Sequence, residues 1–253
     1  MSNEAQNSSA TEPLILAIET ATRAGSVSVA RGDAILASRS GDAAASHSTD
    51  LIENIDAVLA EAHVQLAEVE LFAAAIGPGS FTGLRIGLAT AKSLAVSLDR
   101  KCSAVPTLQA IAYASLPAEH IVALLPAGRG EVFAQMFFAQ NATVTSFDEP
   151  AHISPQSLLA KYGGYAQLTW AGEGAHAQVE LLRTAAREKG ITLEVDHDGS
   201  HLNGWSLAPP VPNLAEAIAR LAFRQWRRGN LVEPEDLRAN YVRASDAELK
   251  SHA

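Results

Sequence analysis

The alternation of apolar and polar positions predicts three strands and a helix at the start of the chain. Residues 14–19 are almost continuously apolar, which is typical of a buried central strand. Residues 25–31 and 34–39 flank a turn that contains Gly32, and glycine readily adopts the positive φ that a tight hairpin turn requires. Residues 48–62 carry apolar side chains at helical spacing and therefore predict an amphipathic helix lying on a sheet.

A strand, a glycine-rich turn and a long helix follow. Residues 71–76 indicate another buried strand, residues 77–83 are rich in glycine, and the helical pattern continues to about Leu98. A short strand at 102–105 and a helix at 107–115 complete this half. The predicted order is three strands, a helix, a strand and a helix, with a short extension.

The second half of the chain repeats that order. Ser154 and Asn213 are the predicted N-caps of two of its helices, and the polar, proline-rich stretch 191–212 predicts a loop. Two copies of a β-β-β-α-β-α module predict a duplicated α/β fold with two lobes, each a mixed sheet with helices on its faces. The predicted elements are strands 121–125, 131–138, 142–147 and 168–171, and helices 155–162, 175–189 and 214–228.

This organisation predicts five segments along the chain. They are a disordered N-terminal tail (1–13), an N-terminal lobe (14–106), a C-terminal lobe (107–212), a C-terminal helix and tail that pack back on the lobes (213–243), and a disordered end (244–253).

Composition and charge narrow the class of protein. Of 253 residues, 47% are hydrophobic and 19% charged, which suits a buried core and excludes a disordered or fibrous chain. The net charge of −9 argues against tight autonomous binding of nucleic acid, which needs a dense cationic surface. A single cysteine, Cys102, excludes an internal disulfide framework and fits a reducing compartment.

The sequence lacks targeting signals of two kinds. Residues 1–13 are polar and do not contain the apolar core of a signal peptide. No apolar run reaches the roughly 20 residues that are needed to span a bilayer. We therefore expect a cytoplasmic protein that does not contact a membrane.

Basic residues are concentrated near the C-terminus. A solvated helix face is the favoured interpretation, and a modest basic patch is the alternative. These residues are Arg220, Arg224, Arg227, Arg228, Arg238, Arg243 and Lys250.

The glycine-rich turn could hold an anion, since Gly77 and Gly79 lie between a strand and a helix N-terminus, where backbone N–H groups converge. Its spacing, however, matches neither the phosphate loop of nucleotide triphosphatases nor the dinucleotide-binding fingerprint. A tight turn capped by Ser80 or Thr82 is therefore the favoured interpretation.

The helix after this turn has two unusual faces. One is a stripe of small residues at a spacing of four, which would let another backbone approach closely, and the other is a weakly apolar arc. One face can pack on the home sheet while the other is covered by a partner or by the second lobe. The stripe is Gly83, Gly87, Ala91 and Ala95, and the arc is Ile86, Ala89, Ser93 and Val96.

The segment 75–92, AIGPGSFTGLRIGLATAK, resembles the signature of the TsaB (YeaZ) family, bacterial subunits of the machinery that makes threonylcarbamoyladenosine next to the tRNA anticodon. Residues 18–22, 47–51, 130–132 and 241–243 also resemble the family's motifs, in the family's order. The resemblance covers residues 14–243.

The resemblance implies a fold of the RNase H-like, actin/Hsp70/sugar-kinase type. It also implies a catalytic paralogue, TsaD, which binds a metal through a His-x3-His pair. Here His47 is followed four residues later by Leu51, so the pair is incomplete and we expect no metal site. The chain further departs from the family in having Glu19 where Asp is usual, and 126–129 (PAGR) where Asp-Ala-Arg is usual.

Candidate catalytic chemistry is sparse. Glu19 at the end of the first strand, with Thr20, is the best candidate for a metal–phosphate loop, and Gly77 and Gly79 are weak candidates beside it. We expect no catalytic residue and no cofactor.

The resemblance therefore implies a non-catalytic subunit that binds the TsaD-type transferase through helices of the N-terminal lobe. A TsaE-type ATPase would belong to the same complex, tRNA would be met only through the complex, and a homodimer through the same helices is an alternative when the partner is absent. The residues expected at this interface are Ile52, Leu59, Gly83, Ile86, Gly87 and Ala91.

The alternative function is an independent ATPase or phosphotransferase of the same fold. It would use Glu19, Thr20 and the loop 77–83. Calorimetry with ATP and magnesium separates the two hypotheses, because only the enzyme requires saturable binding and turnover. A glycoprotease-like metallopeptidase is disfavoured, because the metal-ligand pair is missing.

Overall fold

The computed structural model describes residues 12–42, 47–198 and 203–242. Its first sheet has the strand order β3-β2-β1-β4-β5, in which only β2 runs antiparallel to its neighbours. The strands are β1 (Leu14–Glu19), β2 (Ser26–Arg31), β3 (Ala34–Ser40), β4 (Leu71–Ala75) and β5 (Lys101–Val105). The helices of this half are α1 (His47–Glu61), α2 (Phe81–Leu98) and α3 (Thr107–Ala114), with a 3₁₀ turn at Leu66–Glu68.

The second sheet has the order β11-β12-β10-β6-β7-β8, and β9 pairs with β7 along the same edge as β8. Its strands are β6 (His120–Gly128), β7 (Glu131–Gln140), β8 (Thr143–Ser146), β9 (Ala151–Ile153), β10 (Leu168–Ala171), β11 (Leu193–Val195) and β12 (Trp205–Leu207). The helices are α4 (Pro155–Tyr162), α5 (Glu173–Ala177), α6 (Val179–Glu188) and α7 (Leu214–Arg227), with a 3₁₀ turn at Pro234–Asp236.

The two sheets repeat one topology. The path β3-β2-β1-β4-β5 corresponds strand by strand to β8-β7-β6-β10-β12, with the second strand antiparallel in both. The predicted duplicated α/β fold of the RNase H-like type is therefore confirmed.

Three hydrophobic cores lie one behind another, with the two sheets between them. Strand β1 separates two of these cores, and its side chains point alternately into each. Ile15 and Ala17 face the middle core, which lies between the sheets, and Leu16 faces the outer core under α1 and α2. The third core lies between the second sheet and α4, α5 and α6. A strand that is buried on both faces must be apolar throughout, which explains the continuous run at 14–19.

The helices of the middle layer are exchanged between the halves. Helix α3, which follows the first sheet in the chain, packs on β6, β7 and β8 of the second sheet. Helix α7, which follows the second sheet, packs on β1, β2 and β5 of the first, and the two helices contact each other.

Several predicted elements were wrong in detail. The stretch 191–212 contains β11 and β12 rather than only a loop, β9 was not predicted, and the helix predicted at 175–189 begins earlier and is interrupted at Gln178. The side chain of Asn213 makes no capping hydrogen bond, and the hydroxyl of Ser26 instead accepts from the Ala215 amide at 3.0 Å.

Both predicted tails fall largely on residues 1–11 and 243–253, which lie outside the described residues, as does the side chain of His47. Pro13 is buried, and its carbonyl accepts a hydrogen bond from the Gly32 amide. Within the described ranges, no helix is both long and apolar enough to cross a membrane.

Candidate functional site

The glycine-rich turn and the loop after β1 are held against each other. The Thr20 hydroxyl donates to the Gly83 carbonyl at 2.8 Å, and the Ser80 amide donates to the Ala21 carbonyl at 2.8 Å. A Cβ on Gly79 would lie 2.6 Å from the Cβ of Ala21, so only glycine fits at this crossing. The two loops form one tightly packed corner of the first lobe.

Three amides of this turn, those of Gly77, Ser80 and Gly83, have internal acceptors. Ser80 caps α2, since its hydroxyl accepts from the Gly83 amide at 3.2 Å and its carbonyl accepts from the Leu84 amide at 2.8 Å. The Gly77 amide donates to the Thr107 hydroxyl at 3.1 Å. A phosphate would have to compete for these groups, so the geometry is that of a capped turn, with Ser80 as the cap.

The stripe of small residues faces the interior of the lobe. Gly83, Gly87, Ala91 and Ala95 are all buried. A Cβ on Gly87 would overlap the hydroxyl of Thr20, which is itself 3% exposed. The expectation that Gly83, Gly87 and Ala91 remain uncovered for a partner was wrong, because all three are buried in their own lobe, where Gly83 and Gly87 let α2 approach the loop after β1. Leu59 is likewise buried.

The opposite side of α1 and α2 is the exposed one. Val96 is 66% exposed and Ile52 is 52% exposed, although both are large aliphatic residues. Ala89 and Ser93 are exposed beside them on α2, and Ile86 is partly buried against the outer core. We call these five residues, Ile52, Ile86, Ala89, Ser93 and Val96, the outer helix face. Of the predicted interface residues, only Ile52 and Ile86 belong to it.

An aromatic cluster lies at the N-terminal end of α2. The guanidinium of Arg85 lies 3.9 Å from the ring centroid of Phe81, and the rings of Phe81 and Tyr241 are 5.1 Å apart. The C-terminal segment is fixed there, because the Asn240 amide donates to the Ile76 carbonyl at 2.7 Å. Helical periodicity gave no signal for this contact.

A cleft of about 450 Å³ lies between the lobes. The first lobe contributes Glu19 to its wall and the second contributes Glu173, while Ile111, Leu125 and Val211 supply an apolar lining. Sequence reasoning identified Glu19 at a strand end, but it could not place a carboxyl group from the other lobe on the same cavity.

The Glu19 carboxylate stabilises the loop after β1. It is 1% exposed and accepts hydrogen bonds from the amide and the hydroxyl of Thr22, both at 2.7 Å. Burial raises the pKa of Glu19, and the Thr22 hydrogen bonds oppose that rise. Burial also raises the pKa of Glu173, opposed by the charge of Arg23. These two acids therefore hold protons more tightly than ordinary glutamates do.

Comparison with known proteins places the chain in a family. A family model described as "TsaD: tRNA N6-adenosine threonylcarbamoyltransferase" matches residues 40–201. The "tRNA threonylcarbamoyladenosine biosynthesis protein TsaB" of Escherichia coli (strain K12) is 31% identical over 234 residues, which cover 90% of this chain and 94% of that protein. The chain belongs to the TsaB (YeaZ) family. The resemblance drawn from the motifs is thereby confirmed.

Two further TsaB relatives match over part of their length. The Haemophilus influenzae protein is 35% identical over 47% of this chain, and the Bacillus subtilis protein is 30% identical over 50%. The chain spans about half of each, 51% and 56% respectively. The structure "YeaZ from Pseudomonas aeruginosa" covers 90% of this chain and 99% of its own, with 25% identity and a TM-score of 0.72.

A nucleotide fits the cleft of this TsaB-family chain poorly. Its phosphates would approach Glu19 and Glu173, which repel anions when ionised, and the amides of Gly77, Ser80 and Gly83 in the glycine-rich turn already have acceptors. Within the described ranges, no group of three or more His, Cys, Asp or Glu side chains could hold a metal ion. Burial raises the pKa of the Cys102 thiol to about 11, so that it remains protonated and a poor nucleophile at neutral pH.

The raised pKa of Glu19 predicts a pH-dependent stability. Because the folded pKa lies above the unfolded one, the free energy of unfolding decreases as the pH rises from 4.5 through the folded pKa. Glu19→Gln removes this titration and keeps an acceptor for Thr22. We expect urea denaturation to show the variant gaining stability relative to wild type between pH 4.5 and pH 8. The control is exposed Glu53→Gln, and a Glu19→Gln difference that does not change with pH would contradict the assignment.

Proposed function

We propose that this chain is a non-catalytic subunit in threonylcarbamoyladenosine biosynthesis. In this role it binds a TsaD-type threonylcarbamoyl transferase through the outer helix face and is required for modification of the adenosine next to the anticodon in tRNA. The names of the TsaB relatives support the pathway. The exposure of Ile52 and Val96 on two adjoining helices is the observation that supports the binding surface.

The outer helix face has the chemistry of an interface. Ile52 and Val96 have more than half of their surface in water. Covering such large aliphatic side chains with a partner stabilises the complex by about 25 cal/mol per Å² of apolar area buried. On the same side of α2 as Val96, the exposed Ala89 and Ser93 are small enough to let a partner helix approach closely. Charged residues border the face, with Glu53 and Asp56 on α1 and Arg85 on α2, which matches the polar rim of protein interfaces.

The proposed partner has a matching surface. The TsaD family model aligns with residues 40–201, a range that includes both α1 and α2. A TsaD-type protein would therefore carry an equivalent helix pair, and the two pairs could pack as a four-helix interface. A second copy of this chain offers the same pair, so a homodimer through the outer helix face belongs to the proposal when the transferase is absent. A TsaE-type ATPase would join the complex at another surface.

The alternative, an independent ATPase or phosphotransferase, has weaker support. It needs the loop 77–83 and the cleft for phosphates, but this loop is a capped turn, and the cleft is lined by the carboxyl groups of Glu19 and Glu173. The carboxyl group of Glu19 already accepts hydrogen bonds from the loop after β1. We therefore keep the subunit as the proposed function.

The test is a charge placed on the outer helix face. Val96→Glu would force a carboxylate into an apolar interface without disturbing the fold, because the side chain is exposed. We expect affinity for the TsaD-type protein, measured by calorimetry, to fall by about thirtyfold or more, equivalent to about 2 kcal/mol. Threonylcarbamoylation of tRNA by the assembled complex should fall in parallel.

The matched control is Val195→Glu, which changes a 43% exposed valine on β11 of the other lobe. It should leave both affinity and modification unchanged. If Val96→Glu and Ile52→Glu both bind the transferase as tightly as wild type, the outer helix face is not the interface. If modification proceeds equally well without this chain, the proposed function itself is wrong.

A further inference from the structure

Four arginines lie together at the carboxyl end of α7. Arg220, Arg224, Arg227 and Arg228 fall within nine consecutive positions, in a chain whose net charge is −9. We call them the basic end of α7. Their spacing of four, three and one places them on neighbouring turns of the helix. Because the carboxyl end of a helix carries a partial negative charge, the fold tolerates this concentration of positive charge.

The polar partners of these arginines are neutral. Arg224 donates to the Ala142 carbonyl at 2.6 Å and to the Tyr113 hydroxyl at 3.1 Å, which fixes its guanidinium beside the Tyr113 ring. Arg220 donates to the Asp33 carbonyl at 3.4 Å. Among residues 12–42, 47–198 and 203–242, every ion pair found involves other side chains. The positive charge of the four arginines is therefore not neutralised by a carboxylate within the described structure.

Two grooves meet at the basic end of α7. One, of about 420 Å³, is lined by Arg224, Arg227 and Arg228 together with Phe223 and Asp33. The other, of about 320 Å³, is also lined by Arg224 and Arg228, and it adds neutral hydrogen-bonding groups such as Asn230. Asp33 is the one acidic residue among the described residues lining either groove. A ligand lying in both grooves would meet an excess of positive charge.

We propose that the basic end of α7 binds consecutive phosphate groups of an RNA strand. The three arginines that line the grooves, Arg224, Arg227 and Arg228, extend over four residue steps, or about 6 Å at 1.5 Å per residue, so their side chains can contact more than one phosphate. Arginine forks match phosphate oxygens bidentately, and exposed Arg227 and Arg228 have their guanidinium groups available. This inference rests on the proposed function only for the identity of the RNA, an unmodified tRNA.

The overall negative charge of the chain limits the strength of this contact. Four arginines on a chain of net charge −9 supply short-range attraction but little long-range attraction at physiological ionic strength. The contact therefore contributes as one of several within a complex, where it adds to the affinity of the other subunit for the same RNA.

The test compares two double charge reversals in the full chain bound to its TsaD-type partner. Arg227→Glu/Arg228→Glu alters the basic end of α7 and leaves Arg224 in place. Arg183→Glu/Arg187→Glu makes the same charge change on exposed positions of α6. The probe is an unmodified tRNA transcript, titrated at several salt concentrations between 50 and 200 mM. We expect the first variant to lose about tenfold or more in affinity at the lowest salt, and the control to lose less than threefold.

The salt dependence gives a second readout. Each phosphate contact contributes about 0.9 to the slope of log affinity against log salt concentration, so the first variant should flatten the slope by about 2. An unchanged slope and affinity, or equal losses in both variants, would overturn the proposal. Inorganic phosphate distinguishes the ligand source: if Arg227→Glu/Arg228→Glu abolishes the binding of millimolar phosphate but leaves the affinity for tRNA unchanged, the site binds free anions and the RNA proposal is wrong.

This outcome is separable from the proposed function. The basic end of α7 lies on the helix that covers the opposite face of the first sheet from α1 and α2, so both double variants should still bind the transferase with wild-type affinity. If the wild-type chain does not bind the transferase, the proposed function fails, and the same tRNA titrations are then made on the chain alone at 50 mM salt, where binding is weaker but the wild type must still bind more tightly than Arg227→Glu/Arg228→Glu.

Discussion

Replacing Gly87 by leucine is expected to destabilise the protein by about 3 kcal/mol. Position 87 lies where α2 crosses the loop after β1, and even a Cβ there would overlap the Thr20 hydroxyl. That hydroxyl donates to the Gly83 carbonyl, so the substitution also breaks a buried hydrogen bond, worth about 1 kcal/mol. Overpacking a dense core costs about 1–3 kcal/mol or more, which exceeds the gain of about 1 kcal/mol in helix propensity. Urea denaturation measures the loss.

Ala89→Leu is the matched control for this prediction. It adds the same leucine two positions along the same helix, but on the exposed outer helix face. The free energy of unfolding should change by less than about 0.5 kcal/mol. If Gly87→Leu is as stable as Ala89→Leu, then α2 does not lie against Thr20 as described, and the small-residue stripe would again become a candidate partner surface.

Replacing Asp148 by alanine is the other substitution with a large expected effect. Its carboxylate accepts from the Met136 amide at 2.9 Å and from the Tyr162 hydroxyl at 2.7 Å, and both donors belong to buried residues. Burial, and then the hydrogen bond to Asp148, raise the pKa of Tyr162, so this hydroxyl stays a donor across the usual pH range. Because each unpaired buried donor costs about 1–3 kcal/mol, we expect a loss of about 3 kcal/mol.

Thermal and urea denaturation would measure this loss of stability. Two further variants test whether the loss comes from the hydrogen bonds of this carboxylate. Glu149→Ala removes the neighbouring exposed carboxylate and should be within about 0.5 kcal/mol of wild type. Asp148→Asn keeps an acceptor and should recover part of the stability. A small effect of Asp148→Ala, equal to that of Glu149→Ala, would mean that the segment joining β8 and β9 is not held by this carboxylate.

The order of long elements could be predicted from the sequence, because each has a periodic pattern of sufficient length. The run at 14–19 and the helix that begins after Ser80 are examples, and both are confirmed. Strands β11 and β12 could not be found in this way, since three residues are too short to show a period. Their place in the sheet depends on β10, which pairs with β12 and lies far away in the chain.

The candidate site was harder to predict, for a different reason. Periodicity separates the faces of α2 but does not say which one meets the sheet, and small residues suit both a close partner and a close loop. The contact with Thr20 shows that the small-residue face packs inside its own lobe, since Thr20 fills the space above Gly87. The two residues lie 67 positions apart in the sequence, so this contact could not be read from it. The cleft depends in the same way on Glu19 and Glu173, which come from different lobes.

The exchange of α3 and α7 makes each half of the chain incomplete by itself. The first sheet without α7 would expose the apolar side chains of β1 and β2 to water, and the second without α3 would expose those of β6 and β7. A single repeat could satisfy both requirements only by pairing with another copy and trading helices. The covalent fusion of two repeats therefore replaces a concentration-dependent association by an intramolecular one.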